Sequence, residues 1–240
     1  MKIKIIPLNI ENEILNKKNY KQIGIKDNTM IFNVVDKNNG FIRAFAVKGG
    51  IIRKGKGCNI KNLERRTFLL SEKDKEALIW GIANKVDIIC QSFVEGKEDI
   101  KEIKAFLNRN KLNNSGARIW AKIETLNGVN NIKSIIEESD GIVIGRGDLI
   151  PETSIEETPI YEEIILNEMK KNKGKEVIIA THLFNSMKSG KMPSISEVES
   201  IYNFIKAGAT GFILAGETSI GKAPIKTVEF LNKLIEKYNN

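Results

Sequence analysis

What most constrains this chain is a rhythm. From about Asp87 onward, short apolar runs return roughly every 30 residues with helical patterns between them, as parallel βαβ units require. The runs are Asp87–Phe93, Ala117–Ile123, Gly141–Ile144, Val177–Ala180 and Gly211–Leu214. Between and around them, apolar residues recur at helical spacing: Leu78, Ile79, Ile82 and Ala83; Ile100, Ile103, Phe106 and Leu107; Val129, Ile132, Ile135 and Ile136. Three later sets follow the same rule: Ile160, Ile164, Ile165 and Met169; Val198, Ile201, Phe204 and Ile205; Val228, Leu231, Leu234 and Ile235. These spacings predict core-facing helices. Ser71 with Asp74 three residues on predicts a capping box, Gly208 a helix stop, and Pro224 the opening of the last helix.

Residues 1–66 follow a different pattern. Short alternating segments (Ile3–Ile6, Met30–Val35, Phe41–Val47) are broken by Asn, Asp and Gly, and Asn38-Asn39-Gly40 is a tight-turn signal. The expectation is a small β-rich module over 1–66, a boundary near Arg66, and an α/β domain over 67–240. At 240 residues the chain suffices for one sizeable core with a small appendage. Cys58 and Cys90 are too few for a disulfide framework or a zinc site, and Cys90, inside an apolar run, is expected to be a buried thiol. No run approaches the ~20 apolar residues of a membrane span, and Met1–Glu11 lacks the apolar stretch of a signal peptide. A cytoplasmic protein is therefore expected.

Net charge is +8, from 38 basic and 30 acidic residues, which suits anionic, phosphate-bearing ligands. Lys48, Arg53, Lys54, Lys56, Lys61, Arg65 and Arg66 form a basic segment. It reads either as a solvated face or as a lid contacting nucleotide phosphates. Nucleic acid ranks last as a partner, because aromatic residues are not interleaved with the charges.

The polar residues that stand out lie where strands end: Ser92, Lys122, Glu124, Arg146, Asp148, Thr181, His182, Glu217 and Thr218. In parallel α/β barrels that face collects the catalytic groups. Lys122 and Glu124 share one face of their strand by its two-residue alternation, and Asp148 arrives from the next strand. One ammonium and two carboxylates at adjacent strand ends meet the needs of a magnesium ion and an anionic substrate. The competing reading is strand-end carboxylates in ordinary salt bridges with Lys122 and Arg146. For Thr181 it is a satisfied hydroxyl. For Glu217 and Thr218 it is structural hydrogen bonding. His182, the single histidine, is a structural or solvated residue or a proton carrier beside Thr181.

Several segments together resemble the catalytic core of the pyruvate kinase family. They are Ala121–Glu124, Glu138–Ile142, Gly145-Arg146-Gly147-Asp148-Leu149, Ile179-Ala180-Thr181, Met187–Pro193 and Ala215-Gly216-Glu217-Thr218 followed by Gly221. Order and spacing agree across Leu70–Glu236, and Val47–Asn59 is similar to part of the family's β-rich lid. The resemblance implies that Glu124 and Asp148 hold a divalent cation, Mg²⁺ or Mn²⁺. It implies that Lys122 stabilises the phosphoryl group in flight and that Thr181 delivers a proton near the enolate carbon. It further implies that Gly145, Arg146, Gly147 and Asp148 hold the substrate carboxylate through backbone amides.

The chain also departs from the family pattern. The first three barrel strands and the regulatory domain have no counterpart here, which leaves K⁺ without the segment that carries most of its ligands. Ile195, Ala215, Ile150, His182 and Glu95 replace the family's usual arginine, serine, glycine, glutamine and basic residue. The fold expected is thus an incomplete TIM (β/α) barrel with a small β lid, covered by a second copy, by a separate subunit carrying the missing strands, or by a rearranged amino-terminal module, the first two being favoured. The activity expected is Mg²⁺-dependent phosphoryl transfer between phosphoenolpyruvate and ADP, giving pyruvate and ATP. The alternatives are a metal-dependent lyase or aldolase acting on pyruvate or another 2-oxo acid, and a non-catalytic metabolite-binding subunit.

Overall fold

The computed structural model describes residues 5–8, 20–26, 28–38, 40–60, 70–112 and 116–239. Within them lie an antiparallel sheet and a parallel one. The first contains β1 (Gln22–Ile25), β2 (Met30–Asn38), β3 (Phe41–Lys48) and β4 (Cys58–Asn59), in the order β3-β2-β1-β4. β2 and β3 form the expected hairpin, with Asn38 opposite Phe41 and Gly40 at φ +87°, a value that favours glycine. Asn39 of that turn, residues 3–4, and the expected boundary at Arg66 with Lys61 and Arg65 fall outside the described residues. A small core of Tyr20, Ile23, Ile25, Met30 and Ile60 holds this sheet together.

The second sheet is parallel, with five strands in sequence order: β5 (Ile88–Gln91), β6 (Arg118–Ile123), β7 (Gly141–Gly145), β8 (Glu176–Ala180) and β9 (Gly211–Ile213). α1 (Glu72–Ala83) precedes β5, and helices occupy the crossovers, beginning with α2 (Lys97–Arg109), α3 (Leu126–Asn130) and α4 (Ile132–Glu138). After β7 come α5 (Arg146–Glu152) and α6 (Thr158–Lys171). A 3₁₀ turn (Asn185–Ser189) and α7 (Ile195–Lys206) follow β8, and α8 (Gly216–Ser219) and α9 (Pro224–Asn239) follow β9. Local signals set several of these starts. The Ser71 hydroxyl accepts from the Asp74 amide at 3.2 Å while the Asp74 carboxylate accepts from the Ser71 amide at 2.9 Å. Ser194 and Glu197 repeat the arrangement at α7.

Alternation along the strands separates two faces. Ile119, Ala121, Ile123, Ile142, Ile144, Val177 and Ile179 join the main core beneath the helices, while Trp120, Val143, Ile178 and Ala180 cluster on the opposite face. Some core expectations are corrected. Ile79, Ala83, Ile160, Ile164 and Val228 are exposed, because each helix presents only a narrow strip to the sheet and these residues sit at its border. Cys90 is also exposed: it lies on the second face of β5, which among the described residues is an end strand with a neighbour on one side only. No helix of the described residues is long and apolar enough to cross a membrane.

Candidate active site

The site is built where β6, β7 and β8 finish. Lys122 lies opposite Val143 in the sheet, and Glu124 follows the last residue of β6. Their side chains meet on one side of the strand, with Lys122 Nζ 2.5 Å from Glu124 Oε1. Glu124 is 1% exposed, and its second oxygen accepts from the Phe93 amide at 2.9 Å. That amide is aimed by a left-handed turn just beyond β5, in which Phe93 has φ +54°. Burial raises the Glu124 pKa above the ordinary carboxylate value; the hydrogen bond and charge of Lys122 and the Phe93 amide oppose the rise, and the nearby Asp148 charge adds to it.

From β7 the chain passes directly into α5, whose first turn carries Asp148. Two glycines make the approach possible. A Cβ on Gly145 would stand 2.5 Å from Glu124 Cγ, and one on Gly147 would stand 3.4 Å from Thr181 Oγ1. Thr181, just past β8, has φ +67° and His182 after it φ +52°, a left-handed pair of non-glycine residues. The Thr181 amide donates to Ile213 O at 3.1 Å. Its hydroxyl is buried and has no hydrogen-bond partner.

The remaining candidates take other places. The Arg146 guanidinium is buried: it donates to the Thr181 carbonyl, sits 3.7 Å from Glu162 Oε1 and lies 5.1 Å from the centroid of the Phe204 ring. Burial lowers its pKa, with the Glu162 and Glu217 charges opposing. Its side chain thus supports the Thr181 turn, and only its backbone belongs to the Gly145–Asp148 loop. Glu217 is buried too, accepting from the Phe184 amide at 3.2 Å and the Ala215 amide at 3.0 Å. Burial pushes its pKa up, but these amides and Lys188 outweigh that and leave it lowered, which fits structural hydrogen bonding. Thr218 donates to Ala215 O at 3.2 Å. His182 is exposed, with Asn185 Nδ2 3.4 Å from its Nδ1.

Two contributors were not singled out by sequence reasoning. One is the Phe93 amide, whose role rests on a backbone angle. The other is Asn59 at the end of β4, whose Nδ2 lies 3.4 Å from Asp148 Oδ1.

As a donor set, Glu124 and Asp148 fit a hard divalent cation. They supply two carboxylates, and Mg²⁺ characteristically takes one or two from protein while keeping positions for water and substrate. No cluster of three or more His, Cys, Asp or Glu residues able to hold a metal occurs among the described residues.

Comparison with known proteins shows the family of this chain. The family model for the pyruvate kinase barrel domain matches residues 2–228. A pyruvate kinase of Clostridium acetobutylicum is 35% identical over 191 residues, covering 80% of this chain and 40% of that protein. A pyruvate kinase of Methanocaldococcus jannaschii is 35% identical over 210 residues, covering 88% of this chain and 46% of its own length. Plastidial pyruvate kinase 2 of Arabidopsis thaliana is 37% identical over 199 residues, covering 82% and 33%. An α/β chain with a parallel sheet and a charged site at its strand ends is therefore a member of the pyruvate kinase family. It spans less than half the length of these relatives.

Proposed function

We propose that this chain carries out Mg²⁺-dependent phosphoryl transfer between phosphoenolpyruvate and ADP, giving pyruvate and ATP. The observation that supports this most is the Lys122–Glu124 pair beside Asp148, with the unpartnered Thr181 hydroxyl facing Gly147 across the same strand ends. Glu124 and Asp148 would hold the cation. A bound divalent ion supplies charge neutralisation for the phosphoryl oxygens and the enolate. The Lys122 ammonium, held beside Glu124 at the strand end, would stabilise the charge of the phosphoryl group in flight. Thr181 Oγ1, with no competing partner, is free to pass a proton at the enolate carbon. The first-turn amides of α5, which lack intrahelical acceptors, suit the substrate carboxylate.

The same reading takes residues 1–66 as a lid over a partial barrel formed by 67–240, its lysines and arginines turned to nucleotide phosphates. It places the protein in the cytoplasm. It also takes a second copy, or a separate chain, to cover the ends of the five-stranded sheet, where β5 and β9 each have one neighbour among the described residues. Phosphorus NMR of phosphoenolpyruvate with Mg²⁺, K⁺ and ADP tests the activity. ATP should form with the native chain and not with Lys122→Ala. A folded native sample that leaves phosphoenolpyruvate intact would rule out autonomous kinase activity.

A further inference from the structure

Asn59 arrives at the site from the other sheet, 89 residues away from Asp148 in sequence. It is held in β4 opposite Gly24 of β1 and is 6% exposed. Its two polar ends are treated unequally. The amide nitrogen donates a long 3.4 Å hydrogen bond to Asp148 Oδ1, whereas the carbonyl oxygen is buried and receives no hydrogen bond. Leaving a buried acceptor orphaned is costly, so a packing role alone gives poor reason to have an amide there. A half-turn of the amide exchanges nitrogen and oxygen in nearly the same space. The carbonyl oxygen would then face an Asp148 oxygen, and two oxygens tolerate that approach only with a cation or a proton between them.

Resting on the metal-site reading above, we infer that the Asn59 side-chain carbonyl is a hard-oxygen partner of the divalent cation held by Glu124 and Asp148. The antiparallel sheet thereby contributes to the cation site. Cation binding and the seating of that sheet on α5 become one linked equilibrium, since each favours the other.

Mn²⁺ titration followed by the electron paramagnetic resonance signal of the free ion tests this directly, without substrate. Native protein, Glu124→Gln, Asn59→Ala and Asn59→Asp are compared after circular dichroism confirms folding. Native protein should bind, and Glu124→Gln should lose most of that affinity. Asn59→Ala should bind about tenfold more weakly, the lower end expected for a supporting metal partner. Asn59→Asp, which offers a carboxylate in the same place, should bind at least as tightly as native protein. Affinity of Asn59→Ala within about twofold of native would overturn the inference and leave the Glu124–Asp148 site standing. If the alanine variant does not fold, the aspartate variant decides, and weaker binding than native overturns the inference. Native protein that binds no Mn²⁺, or binding that Glu124→Gln does not change, removes the metal-site reading and this inference with it.

Discussion

Glu124 lies flat against the backbone of Gly145, so close that a Cβ on the glycine would come within 2.5 Å of Glu124 Cγ and 3.0 Å of Oε1. Gly145 has φ −91° and ψ 77°, angles open to other residues, so space rather than backbone freedom demands a glycine there. The contact joins the end of β6 to the end of β7. It fixes the distance between Glu124 and the turn that carries Asp148.

Gly145→Ala is accordingly expected to fold but to push Glu124 aside. Overpacking of this kind costs roughly 1–3 kcal/mol, to be read from urea unfolding. Mn²⁺ affinity should fall about tenfold or more, because the carboxylate can no longer keep its place. Unchanged affinity would show that the two carboxylates do not act as a unit.

Glu124→Gln should make the protein more stable while disabling it. Burial raises the Glu124 pKa above its ordinary 4.5, so the folded chain holds this proton more tightly than the unfolded one. The contribution of Glu124 to stability is then most favourable when it is protonated at low pH. It declines as pH rises from about 4.5 through the raised folded value, and is constant above it. The glutamine variant lacks this decline. Its melting temperature should exceed that of native protein at pH 7, and the gap should close on acidification. A native protein that melts higher at pH 7 would show that the pair with Lys122 outweighs the burial of Glu124.

The sequence makes some of these features plain and hides others, for reasons of range. The strands were legible because their apolar runs are short, bounded and evenly spaced: the run Ala117–Ile123 becomes β6 with one residue trimmed. Glu124 and Asp148 were legible because each follows such a run within four residues. The direction of the Arg146 side chain was not. A strand-end arginine beside Glu124 and Asp148 reads as their salt-bridge partner or as a loop residue acting through its backbone, yet its side-chain burial is decided by Glu162 and Phe204 on two later helices. Asn59 was hidden for the same reason, its partner being 89 residues away. Ile79 and Ile164 show the converse limit: helical spacing marks an apolar face but not how wide a strip the neighbouring layer covers.

The Arg146–Glu162 pair makes a prediction about stability. Both groups are buried, and the guanidinium also satisfies the carbonyl of Thr181. Arg146→Leu should cost about 3–5 kcal/mol in urea unfolding, because Glu162 is left as an uncompensated buried charge. Arg146→Leu combined with Glu162→Leu should recover much of that loss. A single variant within 1 kcal/mol of native, on the scale set for surface changes, would mean the pair is solvated in solution.

Thr181 joins two unfavourable features at one residue. A β-branched side chain is held at φ +67°, where L-residues lose about 1–2 kcal/mol, and its buried hydroxyl has no hydrogen-bond partner. Such strain persists where the surroundings over-determine it, here through the Arg146 guanidinium on the Thr181 carbonyl and through Ile213 O, which accepts from the Thr181 amide. Thr181→Gly removes the left-handed strain and the orphaned hydroxyl together, and should stabilise the fold by about 1 kcal/mol in spite of the added chain entropy. It should also abolish ATP formation in the phosphorus NMR assay. Thr181→Ser keeps the hydroxyl and loses the branch, so it should retain most of the turnover with a smaller gain in stability. Turnover that survives in the glycine variant would take the proton transfer away from Thr181. A glycine variant less stable than native would show that the turn is favoured by its surroundings rather than strained against them.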